Sequence, residues 1–196
     1  YSRDFRGPYW WDERFAAQQY DIREPAVLVV GGGQAGLSIA ARLTQLGIDT
    51  LIVDKNSRIG DNWRNRYHAL TLHNQLHVNH LPYVPFPPTW PTYIPKDMLA
   101  LWFESYAAIM ELNFWTDTEV TSGRYDEVSK LWDITLTLKD GSARQMVPRH
   151  VVLATGVSGI ANLPTIPTLD KFDGPVVHSS RYHDGDDWAC LLYTSD

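Results

Sequence analysis

One cysteine, Cys190, stands in a chain of 196 residues. A single thiol excludes an internal disulfide, a CxxC redox pair and a cysteine-rich zinc site. No apolar run reaches the roughly 18 residues that a membrane-spanning helix needs. No charged-then-apolar leader opens the chain, so a cytoplasmic location is the expectation. Positive charge is scarce: 17 Lys and Arg face 23 Asp and Glu, for a net charge of −6. With no basic stripe, nucleic acid is not an expected partner. Internal repeats and low-complexity tracts are missing. So is an initiator methionine: the chain starts at Tyr1, and upstream sequence is expected to be missing. The length suits one domain or slightly more, with a real core.

Against these absences stands Val27-Leu-Val-Val-Gly-Gly-Gly-Gln-Ala-Gly-Leu37, followed by Leu51-Ile-Val-Asp54. The order is strand, glycine turn, helix, strand, acid, the opening βαβ unit of a dinucleotide-binding fold. Val27 to Val30 suit a buried parallel strand. Gly31 permits the tight turn, Gly33 lets backbone approach a pyrophosphate, and Gly36 lets the helix pack close to the strand. The helix from Gln34 to about Leu46 carries Leu37, Ala40, Ala41 and Leu43 at helical spacing and ends at Gly47. Its first amides, at Gln34 and Ala35, and its dipole favour phosphate. Asp54, with Lys55 beside it, falls where a carboxylate accepts hydrogen bonds from ribose hydroxyls.

Tyr1 to Glu24 read as a linker with one amphipathic helix over Trp10 to Tyr20, packed on the domain edge. A second glycine turn, Arg58-Ile-Gly-Asp-Asn-Trp-Arg64, follows Asp54 and adds Gly60, Asn62 and Trp63 to the candidate cofactor residues. From Tyr67 to Pro95, prolines at 82, 85, 87, 88, 91 and 95 block helix interior and central strand, so an ordered irregular loop draped over the sheet is expected. A loop of that length inside a compact domain is usually functional. Lys96 to Met110 resume helical spacing. From Phe114 the pattern alternates, with short strands at Glu119–Tyr125, Leu131–Leu138 and Arg144–Pro148 and a turn at Lys139-Asp140-Gly141. A buried strand then ends in Ala154-Thr155-Gly156, whose small residues avoid collision with neighbouring backbone or cofactor. The expected fold is α/β: a Rossmann-like domain over 25–160 with a parallel sheet, helices and an inserted antiparallel β meander, then a connector over 161–189.

That order resembles the FAD-binding half of the two-dinucleotide, glutathione-reductase-like flavoproteins, which favours FAD over NAD for this site. Gly60-Asp-Asn-Trp63-Arg64 looks like the GGxWR segment of flavin-containing monooxygenases. Leu72 to Lys96 is similar to the proline-rich stretch of that family, especially its plant auxin-forming branch. Phe172-Asp-Gly174-Pro-Val-Val-His178-Ser-Ser-Arg-Tyr182 matches FxGxxxHxxxY, a fingerprint of these and related Baeyer–Villiger enzymes. The resemblance implies a cycle in which NADPH reduces FAD and reduced flavin captures O₂. The resulting C4a-hydroperoxyflavin oxygenates a small nucleophilic or carbonyl substrate. It implies adenine contact by the backbone of Val120. It also implies a flavin-side asparagine, for which Asn74 is the nearest match, although spacing back from Pro85-Phe86-Pro87 falls one residue earlier, at His73. Trp63 is either a dry wall near the isoalloxazine or ordinary core. Phe172, Gly174, His178 and Tyr182 are expected to serve NADPH binding and domain coupling, or to hold the connector against the sheet. His68, His73, His77 and His80 crowd the loop, but Pro82 and the lack of nearby carboxylates argue against a metal, and flavin oxygenation needs none.

No second glycine turn, GxGxSG, follows His178, so an NADPH domain is expected to be missing beyond the connector. Residues 190–196 look like the translation of a sequencing-library adapter and are expected to be non-native. Two other readings stay open: a flavin reductase or dehydrogenase that never oxygenates, and a non-catalytic FAD- or nucleotide-binding module. Substrate identity and oligomeric state are not legible.

Overall fold

Four consecutive apolar residues, Val27–Val30, form β1 at the centre of a parallel sheet. On one side β1 pairs with β2 (Thr50–Val53), from Val27↔Thr50 to Val30↔Val53. On the other it pairs with the last strand, His150–Leu153, from Val27↔His150 to Val30↔Leu153. A computed structural model describes residues 7–157 and 159–189. The expected non-native segment 190–196, with Cys190, lies outside them.

Between these strands the chain builds, in order, α2 (Gln34–Gln45), α3 (Asp61–Arg64), β3 (Thr71–Gln75), β4 (Tyr93–Pro95), α4 (Lys96–Ile109), β5 (Asn113–Trp115), β6 (Glu119–Asp126), β7 (Leu131–Thr137) and β8 (Ala143–Met146). The closing strand is β9, and α1 (Trp10–Gln18) precedes them all. The sheet order is β5-β2-β1-β9, all parallel. β5 departs from expectation. Phe114 belongs to the parallel sheet and not to the alternating region, because three residues are too few for periodicity to show.

Side chains alternate across β1, so the sheet has two packed faces. Val27 and Val29 join Leu37, Ala40 and Ala41 of α2 and Leu99, Phe103 and Tyr106 of α4 in one buried cluster. Leu28, Leu51 and Val53 face the other way, against Ile134, Leu136 and Met146 of the meander β6-β7-β8. The molecule is thus three-layered: helices, parallel sheet, antiparallel meander. The meander matches its sequence reading, and its β7–β8 turn is closed by Asp140, whose Oδ1 accepts from Ser142 N at 2.9 Å.

Two other expectations need correction. The proline-laced stretch is not irregular throughout: β3 and β4 pair antiparallel, and Leu76–Val78 form a 3-10 turn. The first proline of this stretch is Pro82, which leaves Thr71–Gln75 free to pair. Pro95 ends its strand, where the missing N–H costs least. The loop packs against α4, and its Leu81, Phe86 and Ile94 share a buried cluster with Val27, Val29 and Ile52 of the sheet. Tyr106 Oη donates to the Pro82 carbonyl at 2.9 Å, and Phe86 packs between Trp90 and Trp102, each 5.2 Å away.

α1 does sit at the domain edge, but its apolar side faces outward. Trp11 and Phe15 are 60% and 67% exposed, and none of its residues is buried. Its contacts are polar: Arg14 donates to Asn113 Oδ1 and to the Glu111 carbonyl, both at 2.6 Å, and Trp115 Nε1 donates to the Gln18 carbonyl at 2.8 Å. The helix meets the end of the sheet, where carbonyls and amides need partners, and not an apolar face.

Candidate dinucleotide site

The glycine turn between β1 and α2 is built by backbone meeting backbone. Gly31 has φ +104°, and a Cβ there would stand 2.5 Å from the Ala154 carbonyl oxygen. A Cβ on Gly36 would overlap the Gly31 carbonyl oxygen. The turn after β9 therefore lies against the turn after β1, backbone to backbone, and it is Gly31 that must be bare. That steric reason does not extend to Gly156, which has open space around it and needs glycine for its φ of +76°.

Gly33 is the N-cap of α2 and supplies no side-chain cap; the first rung of the helix is Leu37 N to Gly33 O at 2.9 Å. The amides of Gln34, Ala35 and Gly36 precede that rung, and Gln34 and Ala35 are exposed. An uncapped N-terminus on a twelve-residue helix, with the dipole behind it, suits an anion.

Asp54 stands at the end of β2, half-buried. Its Oδ2 accepts from Gly32 N at 2.6 Å, and its Oδ1 accepts from the backbone N and the Nδ2 of Asn56, both at 2.8 Å. The acid is thus tied to the glycine turn itself. A carboxylate offers about four acceptor positions, so room remains for a hydroxyl donor. Thr118 N donates to the Asp54 carbonyl at 3.0 Å and Asp117 N to the Asn56 carbonyl at 2.9 Å. These bonds draw the start of the meander alongside. Lys55 and Glu119 line a hollow of about 220 Å³ there, with Val120, paired with Leu136, the next residue of β6. A larger hollow of about 590 Å³ opens at the other end of the strands. Its Arg14 and Arg23 are engaged with Asn113, the Glu111 carbonyl and Asp49.

Asn62 faces the glycine turn from the far side, its Nδ2 3.2 Å from where a Gly33 Cβ would lie. Trp63 packs against the helix-side core, and its Nε1 is buried without a partner among the described residues. An unpaired buried donor costs about 1–3 kcal/mol, which an acceptor on a ligand would recover. The neighbouring cations are already engaged. Arg58 pairs with Glu104, and Arg64 donates to Asp61 Oδ1 and the Ile59 carbonyl, both at 2.8 Å. Amides and the α2 dipole are the donors that face the glycine turn itself.

The structure thus gathers Gly31, Gly33, Gln34, Ala35, Gly36, Asp54, Lys55, Asn62, Ala154, Thr155 and Gly156 around the C-terminal ends of β1, β2 and β9. Asn74 stands apart from this set, exposed on β3, its side chain without a hydrogen bond to the described residues. The buried asparagine of that stretch is Asn79, whose Nδ2 donates to the Gln75 carbonyl at 2.9 Å. Of the histidines, His80 accepts from Phe86 N through Nδ1 at 2.9 Å and orders the loop. Phe172 folds over Gly174, while His178 Nδ1 accepts from Ser180 N at 3.1 Å and caps a 3-10 turn. Tyr182 lies 6.0 Å from Tyr67, and His68 N donates to the His183 carbonyl at 2.8 Å. These contacts tie the connector to the segment after α3, not to the sheet. Sequence reasoning missed Gly32, where a Cβ would overlap the Phe114 ring, and Asn56, which orients Asp54. The Gly-Gly-Gly run offered a signal for the first; nothing in sequence flags the second.

A family model described as pyridine nucleotide-disulphide oxidoreductase matches residues 28–189. The chain is 34% identical over 166 residues to the probable indole-3-pyruvate monooxygenase YUCCA4 of Arabidopsis thaliana, covering 84% of this chain and 39% of that protein. It is 30% identical over 179 residues to the indole-3-pyruvate monooxygenase YUCCA1 of Oryza sativa subsp. japonica, covering 91% and 43%. Among solved structures it resembles a flavin-containing monooxygenase from Stenotrophomonas maltophilia, with a TM-score of 0.74, 26% identity, and coverage of 85% of this chain and 48% of that one. It also resembles an open cyclohexanone monooxygenase, at TM-score 0.65 and 28% identity, covering 81% and 32%. The chain spans less than half the length of each of these relatives.

Proposed function

The chain belongs to the pyridine nucleotide-disulphide oxidoreductase family, and from that premise we propose that it carries the FAD-binding part of an NADPH-dependent flavin monooxygenase. The observation that carries the reading is Asp54, fixed to the Gly32 amide beside the uncapped N-terminus of α2. That pair offers an acceptor for ribose hydroxyls and donors for a pyrophosphate at the C-terminal edge of a parallel sheet, where such ligands bind. The residues fit the group: the turn is bare of side chains where phosphate would lie, and Trp63 holds an unpaired donor. The four relatives given above are named as monooxygenases, which supports oxygenation over simple dehydrogenation. These 196 residues hold one cysteine and so no dithiol of their own.

In this reading 25–160 is the FAD-binding domain and 161–189 the connector toward an NADPH site. When bound, FAD supplies the redox and oxygen chemistry. The chain's own work is to bind and to shield. The amides of Gln34 to Gly36 bind the pyrophosphate, Asp54 orients the ribose, and Lys55 with the Val120 backbone borders the adenine. Trp63 and the proline-laced loop exclude water from the reacting end. The whole protein acts on a small nucleophilic or carbonyl substrate with O₂, the class to which indole-3-pyruvate and cyclohexanone belong.

Two measurements test this. FAD added to the chain is expected to lose fluorescence on binding, and Asp54→Ala is expected to weaken binding by roughly tenfold or more, the worth of hydrogen bonds to a charged acceptor. In the whole protein, one atom of ¹⁸O₂ is expected in the product. Unlabelled product would turn the reading toward a dehydrogenase, and unquenched FAD would remove it.

A further inference from the structure

On α4, Lys96, Ala100 and Glu104 recur every four residues and share one face. The second glycine turn and α3 rest on that face at three points. Lys96 is only 7% exposed, and its Nζ donates to the Arg64 carbonyl at 3.0 Å, at the C-terminal end of α3, and to Asp97 Oδ1 at 2.8 Å. A Cβ on Gly60 would stand 2.5 Å from the Ala100 carbonyl oxygen, so the turn lies directly on the helix. Glu104 holds Arg58 through both Nε and Nη2 and stands 2.9 Å from Arg64 Nη2.

Charges in this group balance: Arg58, Arg64 and Lys96 against Asp61, Asp97 and Glu104. Each of the three cations is paired with a carboxylate, although Arg64 Nη2 makes no hydrogen bond among the described residues, and their contacts with the Arg64 and Ile59 carbonyls place backbone. α3 needs that help, since four residues make a single turn, far below the length at which a helix holds itself. Its Asn62 faces Gly33 across the site. The width of the cleft between α3 and the first glycine turn is therefore set from behind, by α4.

We propose that Lys96 and Glu104 are positioning residues for the dinucleotide: through Arg64, Arg58 and the Gly60 turn they hold Asn62 and Trp63 at the pyrophosphate and flavin end of the cleft. The proposal rests on the FAD reading. It separates the two ends of the ligand, because Asp54, Lys55 and the start of β6, assigned to the adenosine end, share no hydrogen bond or ion pair with Lys96 or Glu104 among the described residues.

The test uses the 196-residue chain and the variants Lys96→Met, Lys96→Arg and Glu104→Gln, each titrated with FAD and, separately, with AMP. Visible circular dichroism reports on the bound flavin, and thermal unfolding without ligand reports on the fold. Lys96→Met and Glu104→Gln are expected to weaken FAD binding by roughly tenfold or more, the loss typical when the partner orienting a ligand-binding group is removed. They are also expected to alter the flavin spectrum and leave AMP affinity unchanged. Lys96→Arg, which keeps charge and donors, is expected to recover most of the FAD affinity. Glu104→Gln keeps side-chain shape, so it tests the charge without opening a void. Equal FAD affinity and spectrum in all variants overturns the proposal alone, as does a parallel loss of AMP and FAD, which marks general loosening. An unaltered chain that binds no FAD overturns the FAD reading and the proposal with it.

Discussion

Tyr106 is fully buried on α4, and burial, reinforced by the nearby Tyr83 phenol, pushes its hydroxyl up to about 12. The protonated form is neutral, so the folded state keeps a proton that the unfolded chain releases near pH 10. The stability contribution is therefore complete below pH 10 and declines as pH rises toward 12. Tyr106→Phe is expected to flatten the fall of the unfolding midpoint over that interval. At neutral pH it is expected to cost about 1 kcal/mol for the lost bond to the Pro82 carbonyl. Denaturant titrations at pH 8 and pH 11 check both. Asp54 shows how far such residue-scale reasoning reaches from sequence. Its place at the end of β2 is legible from the βαβ pattern, but its anchoring by Asn56 is not, because an asparagine two residues on also reads as an ordinary turn residue.

Elements differ in how much of them composition reveals. β1 and β2 are legible because strands buried on both faces read as nearly unbroken apolar runs. β9 reads the same way, but the expectation that it is buried needs correction, since it lies at the edge of the described sheet with His150 and Leu153 exposed. β5 is not legible, being three residues long, and neither is the β3–β4 pair, whose partners are joined across the proline loop. α1 is legible as a helix but not in its orientation. Its sequence carries aromatics for a core, yet the surface it meets offers Asn113, the Glu111 carbonyl and Trp115 Nε1. Its stability should follow these polar contacts. Asn113→Ala is expected to cost about 1–3 kcal/mol, since it strips a partner from the buried Tyr20 hydroxyl and from Arg14. Phe15→Ala, on the exposed side, is expected to change stability by no more than about 0.5 kcal/mol. Chemical denaturation of both variants compares them directly.

At the scale of the whole molecule, the parallel sheet is clamped between helices and meander, and each of its faces has a core of its own. The meander is therefore part of what stabilises the sheet. Leu136, fully buried against Leu28, Leu51 and Val53, tests this: Leu136→Ala is expected to cost about 2–5 kcal/mol. Unfolding followed by both far-ultraviolet signal and tryptophan fluorescence should show one transition if the layers act together. The chain carries one glycine-turn βαβ unit, so FAD binding without appreciable NADPH oxidation is the expected behaviour of these 196 residues in a spectrophotometric assay.

Asp54 has a consequence for kinetics. Its carboxylate is held by Gly32 and Asn56, so on the proposed FAD reading a ribose arriving there would meet an acceptor already oriented. A site set in advance gains affinity by sparing the ordering that binding otherwise demands. Capture then depends on diffusion and orientation more than on rearrangement, and differences in affinity among variants of this acid belong to residence time.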